Sequence, residues 1–339
     1  MSSEIICLPR ATGALRNLLK FLIQLKLKPR AVIGTNPSWP LAVPFLIVCK
    51  ALGIKYFCDC QDIFYFETHG FMTGFVPGES NTAISRVIRG YLRRTLETVV
   101  LRYADLSLFT SVVSSRVMSP IHRGKSLVVP IGYPDLKDLS ALEPNAEKQP
   151  ITILYAGKGH RREDLDVLLE SFAAISEIRR DIQLVLIGIE PNLRRILMRV
   201  AELGISRRTK VIPRYSNFAS EFINELKKAD VLALPAGRSP LVEMSARFKI
   251  YIYLMVGKPI VATKTRALEE TLGEGSVCFV PPGDIPAFTT ALLRILDNPD
   301  LAKNLSEHAR SLFLANYNTP GCYEPLVRYL KWPDPPQLS

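Results

Sequence analysis

The turn Gly257-Lys258-Pro259 joins an apolar run at helical spacing to the triplet Ile260-Val261-Ala262, and this junction restricts the fold more than any other stretch of the chain. Glycine can end a helix in the left-handed conformation, proline cannot continue it, and a β-branched run opens a strand buried on both faces. Read outward, residues 233–272 give a strand end, a loop with Gly237 and Pro240, a helix over 242–256, the turn, a strand over 260–262 and a helix over 267–272. Strand, loop, helix, turn, strand is the repeating unit of a parallel α/β sheet, and such sheets bind ligands at the carboxyl ends of their strands. The loop after Leu234 is therefore an expected site.

The same alternation fills the second half of the chain. Strands are expected over 151–156, 183–187, 210–212, 231–234 and 276–280, with helices over 165–178, 193–203, 218–229 and 285–296. In the first half, strands over 31–36, 55–60, 105–111 and 126–130 alternate with helices over 13–28, 40–52 and 82–103, and the glycine-rich run 69–81 reads as a binding loop. Ile88, Tyr91, Leu92, Val99 and Val100 lie among the residues expected to form the apolar side of the 82–103 helix. Between the halves, the polar and proline-containing run 141–150 marks a domain boundary. At 339 residues and 47% hydrophobic content, two domains with real cores are expected.

Charge narrows the partners. Of the formal +11, +7 falls in residues 1–145, with 17 basic and 10 acidic side chains, which favours a membrane surface or a phosphorylated ligand for that half. Arg86, Arg89 and Arg93 share one face of the 82–103 helix, and the 13–28 helix has a basic margin. Such faces either contact anionic headgroups or are the solvated sides of ordinary packing helices. The charge is not gathered into a stripe with aromatic partners, so nucleic acid is not expected. Cys58-Asp59-Cys60 lacks metal or redox spacing, and the six scattered cysteines fit a reducing, cytoplasmic setting. No histidine pair has zinc-ligand spacing, no serine stands in GxSxG, and the apolar run 41–49 is far short of the roughly 20 residues of a spanning helix.

The chemistry concentrates in Gly157, Lys158, Gly159, His160, Arg161 and Arg162, a loop between a strand and a helix. Its glycines permit close approach of a ligand to the backbone, and its cations at a helix start suit a phosphate. The spacing is neither a P-loop nor GxGxxG, and a solvated basic loop is the competing reading. In the first half, Asp59 and Asp62 stand at a strand's carboxyl end, where carboxylates either meet a substrate hydroxyl or cap a turn.

Taken together, GKGHRREDLDVLLESFAAI, LVLIGIEP, ADVLALPAGRSPLVEM, KIYIYLMVGKPIVAT and GSVCFVPPGDIPAFTTALLRILDNPDLAKNL, in that order over 151–317, resemble group 1 retaining glycosyltransferases of the GT-B fold. The first half is similar more loosely, through residues 31–62. The resemblance implies two doubly wound Rossmann-like domains facing a cleft: 1–145 on the acceptor side, 150–317 binding a UDP- or GDP-linked sugar, and 318–339 as a tail or helix. It implies transfer of a hexose with retention to a lipid-linked or other glycan acceptor. No metal or other cofactor is expected, because cations and helix N-termini stabilise the departing diphosphate.

Carried onto this chain, the resemblance puts Lys158 in the place of the family's arginine and Glu163 in that of its second basic residue. Lys249 matches the family lysine, facing Lys158 across the diphosphate, with Gly237 and Ser239 beside it. The family's acidic pair falls on Met244 and Ile252, leaving Glu243, one residue out of register, as the candidate carboxylate; Gln61-Asp62 replaces a His-Asp turn, leaving Asp62. Family members also begin with a glycine-rich unit upstream of the point matching Met1, without which the first sheet would lack its central strand. A late start, or a partner polypeptide as in split two-subunit transferases, is the expected explanation. Two functions follow: a transferase at the cytoplasmic face of a membrane, or a non-catalytic GT-B-fold subunit that binds sugar phosphates.

Overall fold

The computed structural model describes residues 5–8, 29–38, 40–61, 83–135, 150–215, 217 and 221–330. The expected 13–28 helix, Asp62, the 69–81 loop and nearly all of the 141–150 boundary lie outside these residues. The chain divides into two compact units, residues 1–130 with 324–339 and residues 131–323.

In the first unit β1 (Ile5–Leu8), β2 (Ala31–Thr35), β3 (Lys55–Cys60), β4 (Leu106–Phe109) and β5 (Lys125–Val128) form one sheet in that order, every pair parallel. β1 is a strand the sequence pattern does not announce, because four apolar residues are too few to distinguish strand from loop. Among the described residues the sheet is continuous, β3 pairing with β2 on one side and β4 on the other. One face packs Val32, Tyr56 and Cys58 against Phe45 and Cys49 of the helix Ala42–Ala51 and Val100 and Leu101 of the helix Ala83–Tyr103. The other face sets Phe57 and Leu106 against Leu326, Tyr329 and Leu330 of the last described helix.

The Ala83–Tyr103 helix buries a different side from the one its apolar residues predict. Val100 is buried as expected, together with Glu97 and Leu101, whereas Ile88, Tyr91 and Leu92 are 61%, 55% and 55% exposed. Periodicity finds an amphipathic stripe, but not whether a neighbour covers it.

The second unit holds β6 (Ile151–Ala156), β7 (Ile182–Ile187), β8 (Thr209–Ile212), β9 (Val231–Leu234), β10 (Ile260–Thr263) and β11 (Cys278–Val280), ordered β11-β10-β9-β6-β7-β8 and all parallel. From β6 the chain builds outward through β7 and β8, then returns to lay β9 against the other side of β6. The winding reverses between β6 and β9, and the loops leaving their carboxyl ends therefore diverge. Strand residues alternate between two cores: Leu154, Leu232 and Ala262 face one, while Ile153, Tyr155, Ala233 and Val261 face the other.

The helix Phe248–Val256 lies in the first of these cores, with every residue from Ile250 to Val256 buried. It ends as its sequence predicts. Gly257 is left-handed at φ 67°, and its N–H donates to the Tyr253 carbonyl at 3.1 Å. Its start corrects the single helix expected over 242–256, which is two helices, Pro240–Met244 and Phe248–Val256. At the break Arg247 takes φ 49°, its N–H donates to Ser245 Oγ at 3.3 Å, and its guanidinium donates to the carbonyls of Pro235 (3.2 Å) and Arg162 (2.9 Å). Apolar residues continue across the break, so periodicity alone does not mark it. Of the expected 218–229 helix, residues 221–229 are described, and Ile223–Lys227 of them are α-helical.

Candidate active site

At the carboxyl end of β6 the chain enters Gly157-Lys158-Gly159-His160, followed by the tight turn Arg161–Glu163. The loop is held from outside at nearly every polar backbone atom. The Gly157 N–H donates to the Ile187 carbonyl (2.8 Å), and the carbonyls of Lys158 and Gly159 accept from Asn192 Nδ2 (2.8 Å) and Arg195 Nη2 (2.9 Å). The Gly159 N–H donates to the Tyr155 hydroxyl at 3.2 Å. His160 N–H donates to Glu163 Oε2 at 2.9 Å, and Glu163 N–H returns to the His160 carbonyl at 2.8 Å. A binding loop fixed in this way loses little conformational freedom when a ligand arrives.

Both glycines are required by their surroundings. A Cβ on Gly157 would stand 2.2 Å from Lys249 Nζ and 2.5 Å from the Tyr155 hydroxyl. Gly159 is left-handed at φ 63°, and a Cβ there would meet Ile196 Cδ1 at 2.5 Å. Asp164, which closes the loop, adopts φ 45° although it is not glycine.

The centre of the site is Lys249. Its ammonium pairs with Glu163 Oε1, lies 3.3 Å from the Tyr155 hydroxyl and sits 4.6 Å from the centroid of the Tyr155 ring. The side chains of Lys249 and Glu163 are 19% and 10% exposed. Where the sequence leads to an expected Lys249 facing Lys158 across a ligand, the chain alone pairs the lysine with a carboxylate of its own. Burial by itself would raise the Glu163 carboxyl, but Lys249, by charge and hydrogen bond, and then Arg247 bring it down to about 2. For Lys249 burial is the larger influence and lowers the ammonium to about 8, against the upward pull of Glu163. Burial also lowers His160, with Arg162, Lys158 and Lys249 adding to the effect and Glu163 opposing it.

The neighbouring loop, leaving β9, is tied to the first one. The Gly237 N–H donates to the Arg162 carbonyl at 3.0 Å, the same carbonyl that Arg247 reaches. Gly159 and His160 meet Lys249 through Tyr155 and Glu163, Gly237 and Arg247 meet at the Arg162 carbonyl, Gly157 and Lys158 are anchored separately to Ile187 and Asn192, and Arg161 lies in the same turn. Ser239 and Glu243 have other partners. Ser239 Oγ caps the helix Pro240–Met244 by accepting from the Val242 N–H at 3.2 Å, and Glu243 Oε2 accepts from the Arg266 N–H at 2.9 Å at the start of the helix Arg266–Leu272. Met244 and Ile252 are each 6% exposed in the apolar interior. Glu163, noted in the sequence only as standing where the family's second basic residue is expected, is not among the expected site residues. Its signal was present as a carboxylate directly following three basic side chains.

Chemically, the arrangement presents donors suited to an anion, and the chain's own Glu163 carboxylate occupies them. Glu163 bridges an ammonium and a backbone N–H, the two kinds of donor that hold a phosphoryl oxygen. Among the described residues no group of three or more His, Cys, Asp or Glu side chains is gathered as a metal would need.

Known proteins resemble this chain in sequence and in fold. The family described as "Glycosyl transferases group 1" matches residues 140–312. MMP alpha-(1->4)-mannosyltransferase of Mycolicibacterium hassiacum is 31% identical over 196 residues, which cover 54% of this chain and 42% of that protein. In fold, sucrose-phosphate synthase from Thermosynechococcus elongatus superposes with a TM-score of 0.70 at 18% identity, covering 94% of this chain and 78% of that one. HepE of Anabaena, solved in complex with UDP and glucose, gives a TM-score of 0.70 at 14% identity, covering 96% and 84%. The two-sheet parallel α/β fold expected from the sequence is the one found, and it is the GT-B fold.

Proposed function

The chain belongs to the group 1 glycosyl transferases, and from that premise we propose that it moves a sugar from a nucleotide-sugar donor to an acceptor hydroxyl. The observation that carries the proposal is the Lys249 ammonium at the carboxyl end of β6, beside Gly157 and among the cations of the following loop. In the proposed reaction the donor diphosphate replaces the Glu163 carboxylate on Lys249 and on the His160 N–H, with Lys158 and Arg162 alongside. As the bond from sugar to phosphate breaks, negative charge grows on the departing diphosphate. Cations already fixed in place favour that transition state over the ground state.

The finer reading is a hexose moved with retention to a glycan or lipid-linked acceptor at the cytoplasmic face of a membrane. The donor is UDP- or GDP-linked, and the complex of HepE with UDP supports the first. Asp62 is the proposed carboxylate on the acceptor side.

A second reading, a non-catalytic subunit that binds sugar phosphates, is favoured by Met244 and Ile252, whose buried apolar side chains stand where the resemblance expects carboxylates. Titration with a panel of UDP- and GDP-sugars, followed by turnover assays with an acceptor extract, separates the two. Saturable binding with turnover is expected. Binding with no turnover selects the subunit, and absence of saturable binding to every donor overturns both.

A further inference from the structure

At the amino end of the first sheet, away from the carboxyl ends of its strands, an open cavity of about 1050 Å³ lies between the helices Ala42–Ala51 and Ala83–Tyr103 and the starts of β3, β4 and β5. Its lining is sharply divided. Leu46, Ile47, Val99 and Tyr329 give an apolar floor, while Lys50, Lys55, Arg102, Arg123 and Lys125 bring five cations. The one carboxylate among the described lining residues is Asp105, already engaged at 2.6 Å by Lys50 and at 2.8 Å by the Tyr56 N–H.

Among the described residues, the helix surface leading to this cavity carries exposed apolar side chains. Ile88, Tyr91, Leu92, Val99 and Tyr103 are separated by three, four or seven residues, apart from the adjacent pair Tyr91-Leu92, and at about 3.6 residues per turn they fall on one side of Ala83–Tyr103. Tyr103 is 55% exposed, like Tyr91 and Leu92, and Ile47 of the adjacent helix is 61% exposed. Burying these side chains would release roughly 25 cal/mol for each Å² of apolar area removed from water. Few surfaces supply apolar depth and negative charge together. A second copy of the chain seated here would set these cations against their own counterparts, whereas a bilayer containing acidic lipids matches both halves of the pattern.

We propose that this end of the first unit docks onto a membrane. The exposed apolar side chains of the two helices enter the headgroup layer, and the cations around the cavity bind the phosphates of anionic phospholipids. The proposal extends the membrane-face reading above by naming the surface, and its test is independent of donor chemistry.

The test is co-sedimentation of the full chain with phosphatidylcholine vesicles and with vesicles that also contain about 30% phosphatidylglycerol. Binding to the second kind, weakened by salt, is expected. Arg102→Glu with Lys125→Glu should weaken it about tenfold or more, and Tyr91→Ser with Leu92→Ser should remove what remains at high salt. All four positions are exposed, and unchanged circular dichroism and melting temperature confirm that the variants fold. Equal binding to the two vesicle types, no binding at low salt, or wild-type binding by both double variants overturns the proposal. So does displacement by millimolar inorganic phosphate, which would assign the cations to a soluble anion. A dimer in analytical ultracentrifugation that these substitutions disrupt while vesicle binding persists would assign the face to a second copy.

Discussion

Glu163 and Lys249 titrate against one another, and each leaves a separate trace in solution. Folding holds Glu163 at about 2 against an ordinary 4.5, so the folded chain binds fewer protons than the unfolded chain between those values. The resulting stabilisation is fully present above about pH 4.5 and is lost as the pH falls toward 2. Lys249→Ala removes the main influence that lowers Glu163 and leaves a nearly buried carboxylate without its cation, at a cost of roughly 3 kcal/mol. Urea unfolding from pH 7 to pH 3 should therefore show a less stable variant whose stability falls less steeply with acid. Lys249 itself loses its charge near 8, so nucleotide affinity measured by calorimetry should decline as the pH rises beyond that value. Glu163→Gln deletes the carboxylate that raises Lys249, and the decline should move to lower pH; an unmoved profile would separate the pair from ligand binding. Lys249 was legible in the sequence through the resemblance, by its match to the family lysine. Glu163 was not, since a negative charge among cations reads as a departure until the fold brings residues 86 positions apart into contact.

Among the elements, legibility followed length and punctuation. The helix end at Gly257 was readable because one residue must take a left-handed conformation there, and this gives a direct prediction. Gly257→Ala carries its Cβ to 3.2 Å from Arg310 Cβ at a φ of 67°, and should destabilise the chain by about 1–2 kcal/mol, seen as a lower melting temperature. Where an element lacks such a marker the pattern misleads. Pro240–Met244 and Phe248–Val256 share a continuous apolar pattern, and their separation at Arg247 depends on carbonyls of Pro235 and Arg162 supplied by other loops. The Ala83–Tyr103 helix illustrates the complementary limit. Its apolar stripe was evident, but burial depends on the packing partner, and the uncovered part of that stripe is what makes a docking surface of it.

For the whole molecule, alternation of strands and helices was enough to give two parallel α/β units. The order of the strands was not, because the pairing of β6 with β9 joins segments separated by two other strands, and nothing local encodes it. That pairing is nevertheless what creates the site, by bringing the two diverging loops to one place. The carboxylate lodged there gives ligand binding the character of ion exchange. An incoming diphosphate displaces an anion that is tethered to the protein and hence present at a high effective concentration. The net change in charge at the site is smaller than its cations imply, and nucleotide affinity should fall only gently from low to moderate salt in a titration series. A tethered competitor also sets a threshold: a singly charged anion offers Lys249 little that Glu163 does not already provide, whereas a diphosphate can engage Lys249, the His160 N–H and the neighbouring cations together. On the proposed function the site selects by valence before it selects by shape, and a singly charged buffer anion such as acetate or chloride should leave the exchange largely undisturbed.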